Sequence, residues 1–192
     1  MPQEDNGRLV NDLLGSAEIF TSAVEDLMGE QLREIGGPDV TYAQLKLLKL
    51  VARAEGSTVT NVAEFLGVST AAASRAVDRL VRRGLLNRAE SPQDRRAVHL
   101  SVTPNGASLL GKYDGAAAGA LSSVFGGLSP EELKRTAQML DRLSVRIVEG
   151  IEQNGHYCFR CGIHFRDHCL LRQIRHRECF LHEQPHPTHE AS

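Results

Sequence analysis

Two helical patterns separated by a tight turn constrain the fold more than any other feature of this sequence. Apolar positions predict a brief helix over residues 61–66, capped by Thr60 and ended by Gly67. A longer helix is predicted over residues 69–83, with Ser69 as its N-cap. A short helix, a tight turn and a longer helix are together typical of a helix-turn-helix.

A pair of short strands is predicted directly after these helices. Gly84 breaks the longer helix, and the residues that follow favour strands over residues 85–89 and 97–103. The turn between them, residues 90–96, is polar and carries two arginines. A strand pair in this position forms a wing beside the helix-turn-helix.

Further helices are predicted before and after this winged module. Apolar residues at steps of three and four predict a first helix from about residue 8 to residue 35. Thr41 can cap a second helix, and Pro104 can open another. A capping box at residues 129–132 begins the last helix. The chain is therefore predicted to be mainly α, a winged helix-turn-helix between N- and C-terminal dimerisation helices, with a small Cys-rich C-terminal extension.

The first and last helices carry apolar stripes that lie outside the winged module. One stripe runs over residues 9–27 and the other over residues 133–151. Both need a partner surface, and we expect a second copy of the chain to supply it. The predicted division is a dimerisation helix over residues 1–37, the winged module over 38–103, further dimerisation helices over 104–152 and a tail over 153–192.

Charge is distributed unevenly along the 192 residues. Lys and Arg total 22 and Asp and Glu total 24, a net charge of −2, which argues against a protein that coats nucleic acid over its whole surface. Residues 69–99, however, hold seven Arg against Asp78, Glu90 and Asp94, a local charge of +4. A local excess of this kind is what a phosphate-binding surface requires.

Apolar residues are common, but they are nowhere continuous enough for a membrane span. They make up 41% of the chain, and no run approaches the roughly 20 residues that cross a bilayer. The first eight residues are polar rather than signal-like. We therefore expect a cytoplasmic protein with no membrane partner.

The longer helix of the helix-turn-helix is the candidate DNA-contacting element. The second helix of such a pair enters the major groove, and its N-terminal residues face the base edges. Arg reaches guanine edges or phosphates, and small residues let the backbone approach the bases closely. The candidate residues on this helix are Ser69, Thr70, Ala71, Ser74, Arg75 and Arg79. In the wing, Arg95 and Arg96 are expected to enter a minor groove.

Four segments of the module carry more specific motifs. They read VAEFLGVS over residues 62–69, SRAVDRL over 74–80, RGLL over 83–86 and DRRAVHLSVT over 94–103. Together they resemble the multiple-antibiotic-resistance regulators (MarR family) of winged-helix transcription factors, and the resemblance extends from about residue 9 to residue 151. The last segment resembles the family's D-x-R wing motif, which implies that Arg96 is the wing arginine and that Asp94 orients the wing.

This resemblance implies a homodimer whose first and last helices intertwine. It also implies a pseudo-palindromic operator in double-stranded DNA, favours a repressor, and suggests a small-molecule effector between the dimerisation helices and the winged module. The sequence contains no Ser/His/Asp constellation, phosphate loop or Rossmann glycine pattern, so we do not expect an enzyme.

The C-terminal tail is chemically unlike the rest of the chain. All four cysteines and seven of the eight histidines lie after residue 155. A Cys-x-x-Cys-Gly sequence is typical of a metal knuckle, because the turn brings two thiolates together. We expect a metal centre, with zinc favoured, an iron–sulfur cluster as the alternative and a thiol redox switch as a third interpretation. The candidate ligands are Cys158, Cys161, Cys169 and Cys179.

Helix geometry limits which of these thiolates share one metal. An unbroken helix over residues 170–179 would separate Cys169 from Cys179 by about 15 Å, too far for one zinc ion or one cluster. In that case His164 or His168 would complete a zinc site. The alternatives from other functional classes are a metal-storage or metal-transfer protein and a thiol- or metal-dependent enzyme.

Overall fold

A computed structural model of the chain describes residues 3–37, 40–54, 56–90 and 98–150. The predicted order of elements and the mainly helical, winged fold are confirmed. The described elements are α1 (Gln3–Gly36), α2 (Tyr42–Arg53), α3 (Val59–Leu66), α4 (Thr70–Arg82), β1 (Leu86–Glu90), β2 (Val98–Val102), α5 (Pro104–Phe125) and α6 (Pro130–Gly150). The two strands pair antiparallel, with Leu86 opposite Val102 and Glu90 opposite Val98. None of the described helices is long and apolar enough to span a membrane.

Helix α3 begins earlier than its sequence predicts, because a different threonine caps it. The Thr58 hydroxyl accepts a hydrogen bond from the Asn61 backbone N–H (3.3 Å), and the Asn61 side chain accepts one from the Thr58 N–H (2.9 Å). This reciprocal capping box starts the helix at Val59. The predicted Thr60 cap and the predicted start at residue 61 are therefore wrong.

The predicted strand bounds were also displaced, since the flanking helices take the terminal residues. The Leu85 N–H donates to the Leu80 carbonyl as part of the end of α4 (2.9 Å), so β1 starts at Leu86. The Thr103 hydroxyl accepts from the Gly106 N–H (3.0 Å), which makes Thr103 the cap of α5 instead of the end of β2. Helix α1 begins at Gln3 rather than near residue 8, because helix propagation needs no apolar residue in the first turn.

The core of the winged module is built around α2. The spacing of Leu45, Leu48 and Val51 predicts one apolar face of this helix, and all three residues are buried. Leu47 and Leu50 are fully buried as well, because α3, α4, α5 and β2 surround the helix. On α4 the apolar spacing predicts Ala73, Val77 and Leu80 as the buried face, and all three are fully buried. The Leu100 N–H donates to the Ser57 carbonyl (2.8 Å) and ties the segment before α3 to β2.

Candidate nucleic-acid interface

The turn between α3 and α4 sets the angle at which α4 leaves the module. Gly67 ends α3 at φ +65°, a left-handed conformation that glycine adopts without steric cost. The Val68 N–H donates back to the Ala63 carbonyl (3.0 Å), and the Ser69 hydroxyl then caps α4 by accepting from the Ala72 N–H (3.3 Å). The predicted Gly67 end and Ser69 cap are both confirmed.

Helix α4 has one buried and one exposed side. The buried side packs into the core, whereas Arg75, Arg79 and Arg82 are exposed at spacings of four and three residues. These spacings place the three guanidinium groups on one side of the helix. At the N-terminal end, Ser69, Thr70 and Ala71 are exposed as well. The exposed side of α4 therefore carries small side chains at its N-terminus and arginines toward its C-terminus.

The C-terminal end of α4 is held by two other helices. Arg83 donates from its Nη2 to the Gly36 carbonyl at the end of α1 (3.1 Å). The Thr103 hydroxyl donates to the Gly84 carbonyl (2.6 Å), so the start of α5 is bound to the same point. These contacts fix α4 relative to both α1 and α5.

Ser74 is not the freely exposed residue that its position in the sequence suggests. It is half-buried, and its hydroxyl oxygen lies 3.4 Å from Nη2 of Arg88 on β1. The Nη1 of the same guanidinium lies 2.8 Å from Oδ1 of Asp78. Sequence reasoning missed Arg88, although strand alternation could have found it. Leu86 faces the core, and the residue two positions later lies on the same side of the strand, toward α4.

Two groups of predicted site residues lie outside the described part of the chain. One is the wing tip with Asp94, Arg95 and Arg96, and the other is the tail with its candidate metal ligands. Both assignments stay predictions. Within the described residues, no group of three or more His, Cys, Asp or Glu side chains is arranged to hold a metal ion.

A second polar cluster, which the sequence did not predict, lies between α2 and α5. Within the part of the chain described here, the Tyr113 hydroxyl is the buried side-chain polar atom that has no hydrogen-bond partner. Lys49 Nζ lies 5.2 Å from the centre of the Tyr113 ring and forms an ion pair with Asp114. Burial raises the pKa of Tyr113 well above its usual value, and the nearby Tyr42 and Asp114 raise it further.

Tyr42 extends this cluster toward α1. Lys46 Nζ lies 4.7 Å from the centre of the Tyr42 ring. Burial raises the pKa of the Tyr42 hydroxyl, and Glu25 on α1 adds a smaller electrostatic effect in the same direction. Two phenols and two ammonium groups are therefore gathered beside the helices that flank the module.

Helices α3 and α4, the turn between them and the antiparallel strands β1 and β2 define a winged helix-turn-helix. Residues 39–97 match the family model described as MarR family. This segment of the chain therefore matches the winged-helix domain of the MarR family, as its sequence motifs indicate.

Sequence relatives agree with this assignment over part of their length. The multiple antibiotic resistance protein MarR of Salmonella typhimurium is 34% identical over 71 residues, which cover 37% of this chain and 49% of the relative. MarR of Escherichia coli is 35% identical over the same length, with the same coverage of both proteins. The chain thus spans about half the length of the curated relatives it matches.

Solved structures resemble the fold over a larger share of the chain. FabT of Streptococcus pneumoniae, solved in complex with DNA, has a TM-score of 0.63 at 23% identity and covers 75% of this chain and 99% of its own. The apo form of wild-type MarR from Escherichia coli has a TM-score of 0.55 at 24% identity, covering 74% of this chain and 97% of its own. These likenesses show that the chain shares the fold of these two proteins.

Proposed function

We propose that this protein is a homodimeric transcriptional regulator, most simply a repressor, that binds a pseudo-palindromic operator in double-stranded DNA. The observation that carries the proposal is the exposed side of α4, where three arginines follow a cap of small residues. A helix presented in this way enters the major groove, with its N-terminal residues toward the bases. The DNA complex of FabT, which shares the fold, supports this use of the domain.

The proposal assigns different roles to the residues of α4. Ser69, Thr70 and Ala71 let the helix N-terminus approach the bases and phosphates closely. Arg75, one turn further along, is placed to reach a guanine edge. Arg79 and Arg82 lie further from the N-terminus and bind phosphates.

A selected duplex tests these roles. A randomised duplex pool is enriched with the wild-type protein, and the affinity of the selected duplex is then measured for the wild type and for Arg75→Ala. The loss of a bidentate base contact costs about 1–3 kcal/mol, or roughly 5- to 150-fold in affinity.

Arg135→Ala is the matched control, since it removes the same charge from an exposed position on α6 that is distant in sequence from α4. It should bind the selected duplex as the wild type does. Equal binding by Arg75→Ala and the wild type would contradict the assignment of α4.

The homodimer is proposed from the exposed apolar residues of the flanking helices. On α6, Leu133, Leu140 and Ile147 are 41–57% exposed. On α1, Leu9, Leu13 and Phe20 are 46–58% exposed. Apolar stripes of this length are unfavourable in water, and a second copy of the chain would cover both at once. A two-fold dimer also matches an operator with two half-sites.

The dimer can be tested on α6 with two substitutions that introduce the same side chain. Leu140→Glu puts a carboxylate into the apolar stripe, and sedimentation should show a monomer. Gln138→Glu introduces the carboxylate two residues earlier, outside the stripe, and should leave a dimer. A dimer in both variants would contradict the proposed interface.

A small-molecule effector is proposed to act at the cluster between α2 and α5. The support is the buried Tyr113 hydroxyl, which can donate a hydrogen bond to a ligand. A panel of small carboxylates and phenols can be screened by the unfolding temperature of the wild type and of Tyr113→Phe. A ligand that binds here should stabilise the wild type more than the variant, and equal stabilisation would exclude Tyr113 from its site.

The tail is proposed to bind a metal that modulates DNA affinity, with zinc favoured over an iron–sulfur cluster. The support is the spacing of Cys158, Cys161, Cys169 and Cys179, and their position soon after the proposed dimerisation helix. Metal and sulfide are measured on anaerobically purified wild type and Cys158→Ser/Cys161→Ser. About one zinc per wild-type chain, lost in the variant, supports the site.

Iron with matching sulfide would support the cluster instead, and neither metal would remove the metal proposal. The regulatory part is tested by the affinity of the loaded and the metal-free protein for the selected duplex. Equal affinities would leave the metal a structural or storage role, because a switch needs different affinities in its two states.

A further inference from the structure

Helix α4 carries one acidic side chain among its cations. Its sequence, TAAASRAVDRLVR, contains Asp78 as the sole carboxylate. The position of Asp78 is three residues after Arg75 and four before Arg82, so it lies on the same side of the helix as both. Its side chain is 41% exposed. If this side of α4 faces DNA, a bare carboxylate here repels the phosphates.

Arg88 is the residue that meets this carboxylate. Its Nη1 lies 2.8 Å from Oδ1 of Asp78, and its Nη2 lies 3.4 Å from Oγ of Ser74. Ser74 and Asp78 are four residues apart, so one guanidinium spans a full turn of α4. A planar guanidinium suits this geometry, since its nitrogens point in fixed directions.

We infer that Arg88 is a positioning residue for DNA binding, which neutralises Asp78 and holds α4 against the wing without contacting DNA. The inference rests on the proposed function, because Asp78 matters only where phosphates come close to α4. The two terminal nitrogens of the guanidinium are directed at α4 side chains, while Arg75 and Arg79 remain exposed. The local charge of +4 over residues 69–99 is unchanged by this pairing, because Arg88 and Asp78 cancel, but Arg88 no longer counts among the arginines available to phosphates.

A double-mutant cycle separates neutralisation from direct contact. The affinity of the duplex selected with the wild type is measured for Arg88→Ala, Asp78→Asn and the double variant. Arg88→Ala leaves the carboxylate uncompensated and should weaken binding about tenfold. The double variant removes both charges and should return to within about threefold of the wild type.

The salt dependence of binding gives a second readout that a purely structural role would not move. Each lost phosphate contact lowers the slope of log affinity against log salt by about 0.9. The double variant should keep the wild-type slope. A double variant that binds as weakly as Arg88→Ala, with a slope lower by about one contact, would overturn the inference and place Arg88 on a phosphate.

Asp78→Asn keeps the inference falsifiable if Arg88→Ala does not fold. It removes the repelling carboxylate and should bind at least as tightly as the wild type. Weaker binding would mean that Asp78 itself reads a base, which contradicts the inference. If Arg88→Ala binds the selected duplex with wild-type affinity, the inference about Arg88 is overturned and the proposed function stands. If neither the wild type nor its control Arg135→Ala enriches any duplex from the randomised pool, the proposed function fails as well.

Discussion

The winged module buries most of its leucines, whereas most leucines in the first half of α1 and on α6 are exposed. In the module, Leu80 on α4 is fully buried, as are the leucines of α2. On α6, Leu140 is 45% exposed, and the leucines in the first half of α1 are similarly open. One chain thus completes the core of the module, whereas it leaves the stripes of α1 and α6 uncovered. The difference supports the proposal that a second copy of the chain covers the stripes of α1 and α6.

The largest effect is predicted for a Leu→Ala substitution made once in each of the two regions. Leu80→Ala removes a fully buried side chain and should lower the free energy of unfolding of the module by about 2–5 kcal/mol. Leu140→Ala, measured at a protein concentration where the chain is monomeric, should change it by less than about 0.5 kcal/mol. Denaturant titration of both variants measures this. Similar losses at the two positions would remove the distinction between the regions.

The sequence predicts burial and helix caps well where they depend on residues that are close together in the chain. The periodicity of apolar residues correctly predicts Ala73, Val77 and Leu80 as the buried side of α4, because each residue's side of a helix follows from its spacing. Local caps are also predictable, as the confirmed capping box between Ser129 and Glu132 illustrates. At α3 the same reasoning selects the wrong threonine. Thr58 and Thr60 are the same residue type and both suit a cap, and only the hydrogen bonds with Asn61 show that Thr58 is the cap.

A smaller effect is expected at that cap, within the module. Thr58→Ala removes the hydroxyl that accepts from the Asn61 N–H and should cost about 1 kcal/mol of stability. Thr60→Ala is the matched control, because Thr60 is exposed on the first turn of α3 and is not its cap. Thermal unfolding of the two variants should separate them. Equal losses, or a larger loss for Thr60→Ala, would place the helix start where the sequence alone put it.

Side-chain pairs between distant segments could not be predicted from one sequence. Lys49 and Asp114 are 65 residues apart, and Asp78 meets Arg88 only because β1 packs beside α4. No local pattern states which charges meet, since that depends on how the elements pack. For the same reason Ser74 was expected to be free for DNA, whereas packing places it against Arg88. The wing tip and the metal ligands remain predictions from motif and spacing.

The smallest effect is expected at the boundary between the two regions. Tyr113→Phe removes a buried hydroxyl that has no hydrogen-bond partner among the described residues, and it should raise the free energy of unfolding by up to about 1 kcal/mol near neutral pH. The raised pKa of Tyr113 adds a pH dependence. Below the usual tyrosine pKa of about 10, the phenol is neutral in both the folded and the unfolded protein. As the pH rises above this value, the unfolded protein loses the phenol proton first, and the free energy of unfolding of the wild type declines.

The advantage of the Phe variant should therefore grow between pH 8 and pH 11. Urea titrations of the wild type and of Tyr113→Phe at both pH values measure this. An advantage that shrinks with rising pH would contradict the burial of an unpaired Tyr113 hydroxyl.

The stoichiometry of the complex with the selected duplex tests the central claim most directly. Native mass spectrometry, combined with footprinting of the duplex, counts the chains and locates the contacts. We predict two chains per duplex on inverted half-sites, with centres about 34 Å apart or a multiple of that distance. One chain per duplex, or contacts without paired half-sites, would contradict a dimer that presents two copies of α4 to DNA.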